Sequence, residues 1–304
     1  MTRGFLALAA IATLAACAAG CGGTLKQPSA SNNASDGKTR PTLTVTRIGA
    51  LPQAISRAAA VALPGGKLMI LGGLVGNNSI DTILAGPPNR LRVVGHLPQA
   101  THDAAAALLG STVYLFGGGA ATSTATVVRV SPAGSAANSG TLIEPLSDLG
   151  TAVVGGRAYL VGGYTGTQFA SAILRYAPGN DTVVARLPLG LRYAGVTAIG
   201  GTIYVAGGLS PSGPTRAVYA VKPGKKPRVV ATLPKPESAA ALAMLGGTLY
   251  YVGGRKVLAI DPSTGKVTVA ARLPVSLSDA TATTLGNEIV VAGGGTSGVW
   301  ALKS

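Results

Sequence analysis

One short frame recurs six times in this chain: glycine, a run of strand-forming residues, and a glycine pair. It reads GGKLMILGG from Gly65, GSTVYLFGGG from Gly110, GGRAYLVGGY from Gly155, GGTIYVAGGL from Gly200, GGTLYYVGGR from Gly246 and GNEIVVAGGG from Gly286. The closing pairs begin at Gly72, Gly117, Gly162, Gly207, Gly253 and Gly293, at intervals of 45, 45, 45, 46 and 40 residues. A period of this length marks stacked supersecondary units, none able to bury its apolar faces alone. A repeat that fills most of 304 residues argues for one closed unit rather than separate domains. Composition agrees, since 47% hydrophobic residues, 44 glycines and only 12% charged residues describe buried strands and tight turns, not a disordered polymer.

Each repeat carries a second marker ahead of the frame: Leu51-Pro52, Leu97-Pro98, Leu187-Pro188, Leu233-Pro234 and Leu273-Pro274. The third repeat reads LIEPLSD instead. After the marker come small apolar runs such as AAAVAL from Ala58 and AAAALL from Ala104, unbroken as expected of a strand buried on both faces. In the strand that follows, a tyrosine stands three residues before the glycine pair at Tyr114, Tyr159, Tyr204 and Tyr250, with Met69 and Val290 in the outer repeats. Such regularity points to rings packed between neighbouring sheets. Beyond a variable loop, the turns APGND from Ala177 and DPSTG from Asp261 supply an outer hairpin. Four antiparallel strands in about 45 residues, repeated radially, make the blade of a β-propeller.

The repeat resembles the kelch motif in its diglycine at the end of the second strand, the aromatic three residues earlier, and Leu-Pro at the exit of the fourth. The tryptophan usual in the fourth kelch strand is missing. The expectation is an all-β, six-bladed propeller over residues 42–304. The last repeat ends at GVWALKS, a third strand only, whereas TLTVTRIGALP from Thr42 has the pattern of a fourth strand with no blade of its own. Closing the ring removes an exposed edge, so Thr42 to Ile48 is expected to complete the blade built from Leu277 to Ser304.

Residues 1–16 read as a signal peptide, with Arg3 ahead of an apolar run from Gly4 to Ala16 that is too short for a permanent membrane helix. The only two cysteines, Cys17 and Cys21, follow it. LAAC, ending at Cys17, is similar to the bacterial lipobox, which implies lipidation at Cys17, export, and attachment to the cell membrane on its outer side. The alternatives are Cys21 as the modified residue, or an ordinary secretory signal. Residues 17–41, rich in Gly, Ser and Asn, form a flexible tether. No cysteine pair remains in the folded body, so no disulfide staples it.

The net charge of +15 suits anionic lipid headgroups, acidic wall polymers or acidic sugars at a cell surface, though the tightest cluster, VKPGKKPRVV from Val221, also fits a solvated hairpin tip. Nucleic acid is not an expected partner, because no basic stripe is interleaved with aromatics. There is no P-loop, nucleophile elbow or paired-cysteine metal site, and no cofactor or catalytic residue is assigned.

A functional site is expected where each fourth strand crosses to the next innermost strand. The fifth and sixth residues after the marker leucine are Ser56-Arg57, His102-Asp103, Ser147-Asp148, Arg192-Tyr193, Ser238-Ala239 and Ser278-Asp279. Of ten acidic residues only Asp36 precedes Thr42, leaving nine, and three of those occupy one equivalent position, with Glu237 beside a fourth. Arg57, His102, Asp103, Asp148, Arg192, Tyr193 and Asp279 are therefore the candidate ligand-binding residues at the channel mouth, with Tyr164, Phe169 and Tyr193 as stacking surfaces. The competing explanation is that Ser and Asp there only satisfy backbone donors in the turn. His102 and Asp103, adjacent on a strand, are expected to point to opposite faces.

Three functions compete. The first is a monomeric envelope module that binds a glycan, wall polymer or protein partner through the rim. The second, implied by kelch propellers that act as sugar mutarotases, is an enzyme using acid and base groups at the mouth on an acidic sugar. The copper-radical oxidases of the same fold are excluded, since their cysteine–tyrosine cofactor needs a cysteine the body lacks. The third is a scaffold for another envelope protein.

Overall fold

The structure, a computed structural model, describes residues 42–304, and no helix occurs among them. The expectations for the signal peptide, Cys17 and the tether fall outside the described residues. Six antiparallel sheets form a ring. Blade one comprises Ala59–Leu63, Lys67–Leu71, Thr82–Gly86 and Arg92–His96, innermost strand first, and blade two Ala105–Leu109, Thr112–Phe116, Thr126–Val130 and Ala136–Thr141. Blade three holds Gly150–Val154, Arg157–Val161, Ala172–Arg175 and Thr182–Arg186; blade four holds Gly195–Ile199, Thr202–Ala206, Gly213–Val221 and Arg228–Glu237. In blade five the second and third strands merge into one run, Thr248–Ile260. Its first half pairs with Ala241–Leu245 and its second, from Gly254, with Val267–Leu277. This blade lacks the loop that separates those strands elsewhere, which accounts for the short final interval of the repeat.

The sixth blade closes the ring with chain from the other end. Its strand order is Ala280–Leu285, Glu288–Gly293, Thr296–Lys303 and, outermost, Thr44–Ile55. The pairing runs from Thr44 opposite Lys303 to Ala50 opposite Gly298, with register breaks after Arg47 and after Ala50. The closing strand is longer than the expected Thr42 to Ile48, because it continues through Leu51 and Pro52 to Ile55. Proline is tolerated there because the strand is an edge and the ladder is already irregular. Just ahead of it, Leu43 donates its N–H to Ala270 O of blade five at 3.0 Å, tying the strand to a second sheet.

There are six apolar clusters, one for each interface between neighbouring blades, including the interface between blades six and one. Along a second strand, alternate side chains serve opposite interfaces: Leu68 and Ile70 pack toward blade six, Met69 and Leu71 toward blade two. Every second strand is thus apolar on both faces, which is why its sequence does not alternate. Tyr159, Tyr204 and Tyr250 are buried in these interfaces, and Tyr114 packs against one of them. The marker leucine is buried in all six repeats, including Leu142 of the repeat without a Leu-Pro, where exposed Ile143 stands in the proline position.

The diglycines have a contact reason. The N–H of the second glycine donates to the carbonyl just ahead of the crossover pair: Gly73 to Thr101, Gly118 to Leu146, Gly163 to Leu191 and Gly208 to Glu237, at 2.7–2.9 Å. That approach leaves no room for a side chain on the first glycine. A Cβ on Gly207, which has φ +61°, would lie 2.6 Å from Glu237 O.

Candidate functional site

The crossover segments are pinned twice. Ser56, His102, Ser147 and Arg192 form antiparallel bridges with Leu74, Gly119, Tyr164 and Leu209, each in a loop between second and third strands. The crossover pair and these loops therefore share one face of the propeller. The next residue in each repeat then turns left-handed: Arg57, Asp103, Asp148, Tyr193, Ala239 and Asp279 have φ between 53° and 60°. This turn swings the chain into the innermost strand. It also aims each N–H at its counterpart one blade back. Asp103 N donates to Arg57 O, Asp148 to Asp103, Tyr193 to Asp148, Ala239 to Tyr193, Asp279 to Ala239, and Arg57 to Asp279, at 2.8–3.3 Å. The result is a closed circle of six peptide hydrogen bonds around the axis.

The side-chain partners decide one alternative left open by the sequence. The aspartates do not cap backbone donors: Asp103 accepts from Arg57, Asp148 from Arg192 and Ser147, and Asp279 from Ser278, all side chains. Aspartate does suit the left-handed conformation better than most residues, which favours it here on backbone grounds. Its carboxylates are free for side-chain chemistry.

On one side of the ring these side chains interlock. Asp148, almost fully buried, receives Arg192 Nε at 2.5 Å and the Ser147 hydroxyl at 3.3 Å. Arg57 Nη1 donates to Asp103 Oδ2 at 2.9 Å and to Tyr193 Oη at 3.2 Å, and Arg192 Nη2 reaches the same phenol oxygen at 3.0 Å. Arg192 also lies 4.2 Å from the Tyr164 ring centroid and 5.4 Å from that of Phe169, the two rings meeting edge to face. A guanidinium set over an aromatic face and fixed by a carboxylate is a preorganised donor.

His102 departs from expectation. The alternation rule puts it on the opposite face from Asp103, yet His102 Nε2 lies 3.5 Å from Asp103 Oδ2. The left-handed turn at Asp103 breaks the alternation and brings the two together. The other ring nitrogen, Nδ1, bonds the Ser79 hydroxyl at 2.9 Å. Burial, reinforced by Arg57, holds the imidazole below its usual pKa.

Arg57, His102, Asp103, Asp148, Arg192 and Tyr193 line one pocket of about 260 Å³, walled by Tyr164 and by the loop Gly119 to Ser123. Asp279 does not join them: it lines the narrow passage of about 130 Å³ through the ring and reaches Arg57 Nε only at 4.0 Å. Behind the ring, the innermost strands enclose a channel of about 500 Å³ faced by small residues. The wall residues Ala120 and Ser123, and Ser79 which bonds His102, escape a sequence reading because they sit in the variable loops, where alignment of the repeats stops. Their proximity follows only from the bridges that pin those loops to the crossovers.

Burial pushes the Asp103 carboxyl up to about 8, with neighbouring Asp148 adding to the shift and Arg57 opposing it. The Tyr193 phenol rises to about 12, chiefly through burial and then through Asp103 and Asp148. A carboxyl raised in the folded state keeps its proton while the unfolded chain loses it. Its contribution to stability is therefore greatest below the ordinary aspartate range and declines as pH rises toward 8. The melting temperature should fall by ~3 °C between pH 6.5 and 9, and Asp103→Asn, which keeps a left-handed-tolerant residue, should flatten that slope. Equal slopes for wild type and variant would show that Asp103 ionises normally.

Comparison with known proteins adds only the fold. No protein family and no curated protein match the chain. Among solved structures, one titled "Structure of YjhT" superposes with a TM-score of 0.72 over 84% of this chain and 95% of its own, at 14% sequence identity. At that identity the likeness shows a shared six-bladed β-propeller, the architecture that the six-fold repeat and the six clusters already require.

Proposed function

We propose that the protein is an exported, lipid-anchored, kelch-type propeller that binds carbohydrate in the pocket at its channel mouth. The observation that carries this reading is the placement of Arg192, paired with Asp148 and stacked on Tyr164. Sugars are recognised by fixed donors and acceptors that bridge neighbouring hydroxyls, next to an aromatic face that covers their C–H surface. The pocket offers guanidinium, carboxyl, phenol and imidazole groups beside the Tyr164 ring. Charge supports the choice. The chain has 25 Lys and Arg against 10 Asp and Glu. In the pocket, however, Arg57 and Arg192 face Asp148 while Asp103 holds its proton, so the formal charge there is +2 − 1 = +1. A pocket with so little net charge in a strongly basic body suits a hydroxylated ligand better than a polyanion, which would be drawn to the rest of the surface.

A glycan array tests this. Wild type should bind a subset of sugars, and the Arg192→Ala, Asp148→Ala double variant should lose that signal. No wild-type binding to any glycan would shift the function to a protein partner or a scaffold. The anchor rests on LAAC ahead of Cys17. Cys17→Ser should move the protein from the membrane to the soluble fraction, and continued sedimentation with membranes would exclude Cys17 as the lipidated residue.

A further inference from the structure

A second cavity, of about 320 Å³, lies between blades one and two. We propose that it is a neighbouring subsite that takes an N-acetylated hexose unit, one step along an oligosaccharide whose adjacent unit occupies the mouth pocket. The proposal rests on the carbohydrate reading above.

Three observations support it. First, the two cavities are separated by a single loop: Gly119, Ala120, Ala121 and Thr122 line both. The loop is low because its residues are small, and it is held down by the bridges from Gly119 to His102 and to Ser123. The equivalent loop of blade three presents Tyr164 and Phe169 instead, a bulkier partition than these small residues make. Second, the volumes fit a ligand of two units. Pockets that enclose a drug-sized ligand run from about 300 to 1,000 Å³, and the mouth pocket alone falls short of that range.

Third, the lining differs in kind from that of the mouth. It carries no charged residue; Gln99, Thr122 and Asn138 stand exposed at the entrance, whereas Leu97, Leu115 and Val128 are buried at the floor. Uncharged amides and hydroxyls above an apolar floor match a ring bearing hydroxyls and an acetamido group, whose amide can pair with a side-chain amide while its methyl meets the leucines. A charged unit would find no partner there.

The test compares N-acetylglucosamine with its β-1,4-linked dimer and trimer by titration calorimetry on the full chain. The dimer should bind at least tenfold tighter than the monomer. Ala100→Trp blocks the entrance from an exposed position that does not line the mouth pocket, and should abolish that advantage while leaving the melting temperature unchanged. Asn138→Leu should do the same by removing the amide. A dimer no tighter than the monomer, or an advantage that survives both substitutions, overturns the subsite while the mouth pocket stands. Absence of binding by every one of these sugars overturns both assignments for this class of glycan.

Discussion

Deleting residues 42–50 should lower the melting temperature by ~15 °C or more, because it removes the strand that closes the ring. The deletion strips six backbone pairs, from Thr44 opposite Lys303 to Ala50 opposite Gly298. It also removes Leu43, which is buried and bonded to blade five. Ladder hydrogen bonds contribute about 1 kcal/mol each and a buried leucine about 2 kcal/mol, so the loss exceeds about 5 kcal/mol. It also exposes the edge of Thr296–Lys303, a ready template for self-association. A synthetic peptide of residues 42–55 should dock on that edge and restore part of the lost stability. A melt unchanged by the deletion would mean that the propeller closes without this strand.

Asp148→Ala should cost ~5–10 °C and, in the same protein, sugar binding at the mouth. Two separate effects combine. Alanine is placed in a left-handed backbone at φ 58°, a strain of roughly 1–2 kcal/mol. Arg192 and Ser147 lose an acceptor whose side chain is only 1% exposed, which costs about 1–3 kcal/mol. Arg192 itself is 23% exposed and can recover water, so the upper end of the range for a fully buried pair does not apply. Asp148→Asn separates the two, since asparagine accepts the left-handed turn and still offers an oxygen to Arg192. It should recover most of the stability and only part of the binding. If Asp148→Ala and Asp148→Asn melt alike, backbone strain at this position is negligible.

The architecture was readable because it is written six times. The period of the glycine pairs, the unbroken apolar second strands and the orphan strand at Thr42 each have a counterpart in one sheet or one interface. The crossover positions were also legible by alignment on the marker leucines. Their geometry was not. Nothing in Arg57 or Tyr193 as residues signals a left-handed backbone, because that conformation is imposed by the circle of peptide bonds rather than by local preference. The meeting of His102 with Asp103 contradicts strand alternation for the same reason. The pocket walls were hidden more deeply still, since Gly119 to Ser123 and Tyr164 to Phe169 belong to loops that share no pattern from blade to blade.

The pairing of Thr44 with Lys303 places the start and the end of the folded body side by side on the outer rim of one blade. A short linker between them would make the polypeptide continuous. It could then be opened afresh at an equivalent exposed turn between a third and a fourth strand, such as Gly179 and Asn180 of blade three. Circular permutants of that kind would keep every hydrogen bond around the axis while moving the point of attachment to another part of the circumference. The orientation of the mouth relative to whatever the chain is tied to would thus become an adjustable property, independent of the binding chemistry.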